Sequence, residues 1–390
     1  MKYILVIDHI ATGGAERILI DYYHHLQAQG HEPCIFVLSG YARQSEWTKG
    51  LKVFYGASGD EDNLLKKAMQ QIGLYLKLKR LVKEVKPDVL FSFLEKSNLL
   101  TVLVPTSAVK VVSVHNVLSI QYTKIHSNKV RRVLYAMIRW MYNRCQNVVA
   151  VSKQVKDDLI ASFGVKEENI HVVNNYVDKE AIKQQAKAVV ENFTFRTDVK
   201  YVMNIGRFSD QKAQWKLIKA FSLYLKECKD RDRVHLILMG KGEYESSLKQ
   251  LAADLHIMDK VTFLPFNINP YKYMVHAHLF VLSSIFEGFP IVLAEVSSLR
   301  IPFVGSRKAI PEEMFDSQSM WEKCIFETST LEKDFSATIH EDEKQLALLI
   351  QEGIENATFR NKILHATEKW EHNNSKNFQF QCYDNFVANG

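Results

Sequence analysis

The sequence has no long apolar run. Its first hydrophobic segment, residues 3–7, stops at Asp8, too short for the apolar part of a secretory signal. No window approaches the roughly 18 apolar residues of a membrane-crossing helix. Paired cysteines are lacking as well. Cys34, Cys145, Cys228, Cys324 and Cys382 are scattered, odd in number and without disulfide or zinc-ligand spacing, so they read as reduced thiols of a cytosolic protein. No G-x-G-x-x-G run occurs, which removes the dinucleotide fingerprint. There is no short repeat and no low-complexity segment. Finally, a whole stretch lacks acid: from Lys96 to Lys156 there is no Asp or Glu, but ten Lys or Arg.

That last absence shapes the charge. The net +6 of the chain divides into +9 for residues 1–150 and −3 for the rest. A basic half of this kind suits an anionic membrane surface or a pyrophosphate-bearing ligand. No recognised nucleic-acid module accompanies it, so nucleic acid is not an expected partner. The segment 122–142, with Trp140 and Met141 beside Arg139 and Arg144, reads as one helix suited to lie on a membrane.

At 390 residues the chain exceeds one typical core, and its 47% hydrophobic and 24% charged composition is that of a folded soluble protein. Strand-like runs at 3–7, 33–38, 89–93, 109–114, 148–151 and 170–173 alternate with helical stretches at 14–29, 64–86 and 131–144. After a polar, helical connection near 179–198 the alternation restarts. Strands are expected at 200–205, 234–239, 261–263, 278–283 and 301–304, with helices at 215–226, 244–255, 271–276 and 291–299. Such alternation predicts parallel sheets covered on both faces. The expected architecture is α/β with two Rossmann-like, doubly wound domains, residues 1–178 and 179–374. Sheets of this kind bind ligands beyond the carboxyl ends of their strands.

The motifs fall at those ends. Gly13-Gly14 lies between the first strand and first helix, where small residues let a ligand approach the backbone. His115 ends another strand. A neutral imidazole there offers a hydrogen bond to a sugar hydroxyl, and a charged one would stabilise a leaving phosphate. Gly206 permits a turn after the strand at 200–205, and Arg207 and Lys212 can both reach a diphosphate. Gly240-Lys241-Gly242 marks another turn, and Phe266 follows the strand at 261–263. The densest segment is 284–295. Pro290 opens a helix as a first-turn residue, with Glu287 in the preceding loop and Glu295 inside the helix. The free amides around Ile291 and Val292 attract an anion, and carboxylates on either side suit sugar hydroxyls.

The segment 287–295 resembles the E-x7-E signature of retaining glycosyltransferases of family 4, which have the GT-B architecture of two Rossmann-like domains. Gly13-Gly14-Ala15-Glu16-Arg17 resembles the opening of many bacterial members. Gly206-Arg207 with Lys212 resembles their diphosphate clamp, and Gly240-Lys241-Gly242 their G-x-G turn. The resemblance covers nearly the whole chain. It implies that Glu295 holds the ribose hydroxyls, that Glu287 contacts the donor hexose, and that His115 meets the donor sugar. It also implies that backbone amides of Phe289, Pro290's successors Ile291 and Val292 meet sugar and phosphate, and that backbone near Phe266 reads the base. A last helix at 375–388 should pack back on the first domain.

The sequence departs from the family pattern at Asn174-Asn175-Tyr176, at Ala213 where glycine is usual, at 296–300 and at 307–312. These departures touch the choice of hexose. The expected activity is transfer of a hexose or N-acetylhexosamine, most simply from a UDP-sugar, with retention, to a lipid-linked glycan in capsule, O-antigen or similar assembly. The site is expected on the inner face of the cytoplasmic membrane. No metal or other cofactor is expected, since no D-x-D stands where it could hold a nucleotide diphosphate; Asp60-Glu61-Asp62 matches the letters but lies in a polar stretch. A GT-B nucleotide-sugar 2-epimerase and a non-catalytic nucleotide-sugar-binding protein are the alternatives.

Overall fold

The computed structural model describes residues 1–10, 13–39, 48–56, 64–124, 127–328 and 332–388. The chain divides into two compact units, residues 1–175 with 377–390, and residues 176–376.

In the N-terminal unit the chain runs through β1 (Lys2–Ile7), α1 (Gly14–Ala28), β2 (Glu32–Val37), β3 (Val53–Tyr55), α2 (Leu64–Val85), β4 (Val89–Phe93) and α3 (Glu95–Leu103). It continues through β5 (Val109–Val114), α4 (Leu118–Gln121), α5 (Asn128–Asn143), β6 (Asn147–Ala150), α6 (Lys153–Phe163) and β7 (Ile170–Val172). The strands form a parallel sheet in the order β3-β2-β1-β4-β5-β6-β7. Strand side chains alternate between faces. Ile4, Val6, Phe36 and Leu90 join one core with Leu74, Leu78 and Leu81 of α2 and Leu100 of α3. On the other face Phe91 meets Tyr22 of α1, with ring centroids 5.8 Å apart. Burial on both faces explains why β1 and β4 read as mainly apolar runs.

The C-terminal unit follows with α7 (Lys179–Ala186), β8 (Lys200–Ile205), α8 (Gln214–Glu227), β9 (Val234–Gly240), α9 (Glu245–Asp254), β10 (Val261–Pro265) and α10 (Tyr271–Met274). Next come β11 (Leu279–Leu282), α11 (Ile291–Ser298), β12 (Phe303–Ser306), α12 (Gln318–Glu322), β13 (Ile325–Phe326), α13 (Glu341–Glu355) and α14 (Ala357–Asn373). Its parallel sheet has the order β10-β9-β8-β11-β12-β13. Both sheets thus reverse direction beside a central strand, at β1/β4 and at β8/β11, which is the doubly wound arrangement. A buried charge network ties α8 to α13: Lys216 Nζ lies 2.5 Å from Asp342 Oδ2 and 3.7 Å from Glu343 Oε1, all out of solvent.

The last helix, α15 (Lys376–Ala388), packs on α1 of the N-terminal unit. Tyr22 Oη donates to Asp384 at 3.0 Å, and the Tyr22 and Tyr383 rings stand edge-on at 5.2 Å.

Two expectations need correction, and a third cannot be compared. The helix expected over 122–142 is not continuous: a short 3-10 turn covers Tyr122–Lys124, and α5 begins after Ser127, whose Oγ caps it by accepting from Val130 N. The connection at 179–198 is helical only as far as Ala186. The triplet Asp60-Glu61-Asp62 lies outside the described residues.

Candidate active site

Four neighbouring strands of the C-terminal sheet deliver the predicted residues to one edge. In spatial order β10, β9, β8 and β11 end in Pro265, Gly240, Ile205 and Leu282, and their following loops carry Phe266, Gly242, Gly206 to Lys212, and Glu287. Backbone bonds stitch these loops together. Gly206 N donates to Met239 O at 3.0 Å, Phe208 N to Lys241 O at 3.0 Å, and Ile285 N to Gln211 O at 2.8 Å.

That stitching explains the G-x-G turn. A Cβ at Gly240 would sit 2.0 Å from the Gly206 carbonyl oxygen, and one at Gly242 would sit 2.2 Å from the Phe208 carbonyl oxygen. Here the two glycines let chain approach chain, which fixes the loop that carries Arg207. Beside them, Phe266 is exposed with the Lys241 ammonium 5.5 Å from its ring centroid. An exposed aromatic with a cation over its face is a platform on which a planar ring can stack.

Lys212 and Glu287 meet across the switch point of the sheet. Their Nζ and Oε1 lie 2.5 Å apart, and Glu287 is only 8% exposed. Gln211 donates to the Phe286 carbonyl at 3.1 Å and reaches Glu287 Oε2 at 3.4 Å. Glu287 N donates to Lys308 O at 3.0 Å, which ties the loop to the chain after β12. The carboxylate is therefore held by Lys212 and Gln211, and its backbone by Lys308. Arg207 differs: its guanidinium is exposed and makes no ion pair or hydrogen bond among the described residues.

The Lys212 ammonium is positioned by an unusual backbone. Ala213 has φ 47 and ψ 44, the left-handed region that glycine enters without cost. The departure from glycine at this position leaves the required conformation in place, and Ser283 Oγ secures it by donating to Lys212 O at 2.9 Å.

Helix α11 begins at Ile291, as expected, but Pro290 caps it instead of standing in its first turn. Pro290 is its N-cap, with φ −74 and ψ 106 and no capping side chain, so Ile291 and Val292 supply first-turn amides that lack an intrahelical partner. Phe289 turns inward and stacks on Trp370 of α14 at 5.6 Å. Glu295, one turn into the helix, is 9% exposed and accepts from Tyr271 Oη at 2.7 Å. Gln211 and Tyr271 are the supporting residues that sequence reasoning missed. Gln211 stood inside a quoted motif with no role attached, and nothing in sequence spacing links Tyr271 to a carboxylate 24 positions away.

His115 belongs to the N-terminal unit, after β5. Its Nε2 lies 3.0 Å from Ser113 Oγ and its ring stacks at a tilt against Phe93. Burial pushes its pKa down to about 4, so the imidazole is neutral at physiological pH. Of the two roles open to it, hydrogen bonding as a neutral group is the one its surroundings favour. Gly13 and Gly14 stand at the start of α1. The space that a Cβ on Gly13 would need holds the Glu16 carboxylate, which also pairs with His9 at 3.3 Å. The small residue there leaves room for an internal carboxylate at the helix start.

Helix α5 presents Val130, Val133, Met137 and Trp140 outward at spacings of three and four residues, while Ile138, Met141 and Tyr142 are buried. Met141 thus faces the core and not the exposed stripe. Arg144 lies 5.0 Å over the Trp140 ring. Among the described residues no helix is long and apolar enough to cross a membrane, and no cluster of three or more His, Cys, Asp or Glu could hold a metal ion.

Two family models cover this geometry: Glycosyltransferase Family 4 matches residues 12–181, and Glycosyl transferases group 1 matches residues 167–362. The chain belongs to the group 1 glycosyl transferases. This glycosyltransferase is 28% identical over 245 residues to the N-acetylgalactosamine-N,N'-diacetylbacillosaminyl-diphospho-undecaprenol 4-alpha-N-acetylgalactosaminyltransferase of Campylobacter jejuni. The aligned stretch spans 62% of this chain and 64% of that relative's length. It is 27% identical over 235 residues to the O-antigen chain mannosyltransferase RfbU of Salmonella typhimurium, covering 57% of this chain and 61% of RfbU. Among solved structures it shares the fold of Anabaena HepE in complex with UDP, with a TM-score of 0.75 at 17% identity over the full length of both chains. The glycosyltransferase WaaG has the same fold, with a TM-score of 0.72 at 12% identity and full coverage of both chains. The GT-B architecture expected from the sequence is therefore the architecture of the molecule.

Proposed function

We propose that this glycosyltransferase moves a hexose or N-acetylhexosamine from a UDP-sugar to a lipid-linked glycan, with retention of configuration and without a required metal. The observation that carries this reading is the Lys212–Glu287 pair beside the exposed Arg207 at the carboxyl edge of the C-terminal sheet. Two cations and the α11 amides stabilise a leaving diphosphate, which is where negative charge grows as the glycosidic bond to phosphate breaks. Glu295, steadied by Tyr271, accepts hydrogen bonds from the ribose hydroxyls. Glu287 orients the sugar. Its engagement with Lys212 and Gln211 suits a positioning carboxylate more than a free nucleophile. Retention then follows from attack on the face that the leaving group vacates. The acceptor oxygen bonds to the anomeric carbon as its bond to phosphate oxygen breaks, and the acceptor proton passes to that phosphate oxygen. His115 takes part as a neutral hydrogen-bonding group.

UDP as the nucleotide is supported by the HepE complex, and a lipid-linked acceptor by the printed activity of the Campylobacter relative. The outward stripe of α5, with its flanking arginines, supports a peripheral position on an anionic membrane.

The test is a transfer assay. UDP-glucose, UDP-N-acetylgalactosamine, UDP-N-acetylglucosamine and GDP-mannose are each offered with polyprenyl-diphosphate-linked glycans in excess chelator. The reading predicts transfer from a UDP-sugar, with the donor's anomeric configuration kept in the product by NMR. An inverted product, or strict dependence on added magnesium, would remove the mechanism while sparing the transferase. No turnover of any donor would remove the reading itself.

A further inference from the structure

In the C-terminal sheet the switch point between β8 and β11 holds the Lys212–Glu287 pair. The corresponding switch point of the N-terminal sheet lies between β1 and β4. Ligands of doubly wound sheets bind at such crevices, and two carboxyl groups stand at this one.

Asp8 follows β1 directly. Its Oδ1 accepts from Ser97 N at 2.8 Å and from Ser97 Oγ at 2.6 Å, so this carboxylate is satisfied within the fold. Glu95 stands two residues beyond β4, as the first residue of α3, and its situation is the opposite. Its Oε1 is buried and has no hydrogen-bond partner among the described residues. The turn that delivers it is strained: Leu94 has φ 76 and ψ 159, in a region that L side chains rarely enter. Around it stand Asp8 from the end of β1, Tyr122 from the turn before α5, and Tyr142 from α5, each of which shares its electrostatic field. Burial, opposed by a hydrogen bond from the residue's own backbone amide and reinforced by Asp8, pushes the Glu95 carboxyl up to about 7.

A buried carboxyl oxygen without a partner and a strained backbone each cost stability. Here both costs fall on one side chain at one crevice. A fold carries such a group where a ligand supplies the missing partner. The ligand must bring a hydrogen-bond donor. For a glycosyltransferase that donor is a hydroxyl of the sugar that receives the transferred unit, an identification that rests on the function proposed above. We propose that Glu95 is an acceptor-binding residue, whose free oxygen takes a hydrogen bond from an acceptor-sugar hydroxyl in the crevice between β1 and β4.

The test compares full-length wild type with Glu95→Gln and Glu95→Asp, using the donor–acceptor pair that wild type turns over in the panel above. Glu95→Gln is expected to raise the acceptor KM about tenfold or more, while UDP affinity by calorimetry stays within about twofold. Glu95→Asp should fall between the two. A second readout needs no acceptor. Since the wild-type carboxyl becomes charged without a partner as pH rises through its folded pKa, Glu95→Gln should melt at least as high as wild type, with a larger gain near about pH 8 than near about pH 5. An acceptor KM within about twofold of wild type overturns the inference. So does a lower melting temperature for Glu95→Gln, which would mean a structural partner, or a parallel loss of UDP affinity. Failure of every donor in the panel would instead be failure of the proposed function, and the melting comparison would still decide whether Glu95 is held at a cost.

Discussion

Lys212 and Glu287 share one ion pair, Nζ to Oε1 at 2.5 Å, with side chains 23% and 9% exposed. The sequence marks these two residues for different substrates groups, a diphosphate and a hexose, yet the fold pairs them with each other. A bound diphosphate would compete with Glu287 for the same ammonium. Lys212→Met should therefore weaken UDP binding about tenfold. Glu287→Gln should leave UDP affinity unchanged or higher, because it releases the ammonium, yet reduce kcat about a hundredfold. Parallel losses of UDP affinity in both variants would show that the pair is only a brace for the loop.

His115 is predicted to stay neutral down to about pH 4. An imidazole NMR titration should place its midpoint there, and the pH–rate profile should carry no limb from this residue near neutrality. The linkage has a definite sign. The folded pKa lies below the unfolded value, so between about pH 6.5 and 4 the unfolded chain binds more protons and stability falls as pH falls. His115→Gln should flatten that part of the stability profile. A midpoint near the ordinary histidine value would reopen the charged role.

Lys216 is a structural cation, sealed with Asp342 and Glu343 between α8 and α13. Lys216→Met removes the ammonium that both buried carboxylates share and should cost about 3–5 kcal/mol in urea unfolding. Adding Asp342→Leu should recover a good part of the loss, because one buried negative charge fewer then remains beside the apolar side chain. A loss below about 1 kcal/mol for the single variant would contradict this.

Membrane docking is tested on the outward stripe of α5. Val133 is 70% exposed, so Val133→Asp should leave the melting temperature unchanged. It should still weaken sedimentation with phosphatidylglycerol vesicles about tenfold at low salt. Equal sedimentation of variant and wild type would remove α5 from the membrane contact.

The fold was legible because its strands are buried on both faces, so β1, β4 and β8 appear as mainly apolar runs between helical periods. Glycine and proline at loop positions added the site, since Pro290 and Gly206 punctuate strand-to-helix turns. What stayed hidden was short or long-range. β3 and β13 span three and two residues, too few to show a period. The sequence reading assigns no element between residues 312 and 375, although α13 carries a capping box from His340 to Glu343 and apolar residues at 346, 350 and 354. Tyr271 beside Glu295 and Glu95 beside Asp8 depend on strand order, which no local pattern encodes. The sequence also could not show that Gly240 and Gly242 are demanded by the neighbouring backbone, a steric reason that stands beside any role toward a ligand.

The central claim is that the edge formed by β8, β9 and β11 is a UDP-sugar site with Glu295 on the ribose. It is tested most directly by calorimetric titration of UDP, GDP and ADP into wild type and Glu295→Ala. The account predicts that wild type binds UDP in preference to the other two, and that Glu295→Ala loses about 2 kcal/mol of that affinity while remaining folded. Equal UDP affinity in wild type and variant, or no nucleotide binding by folded wild type, would contradict it.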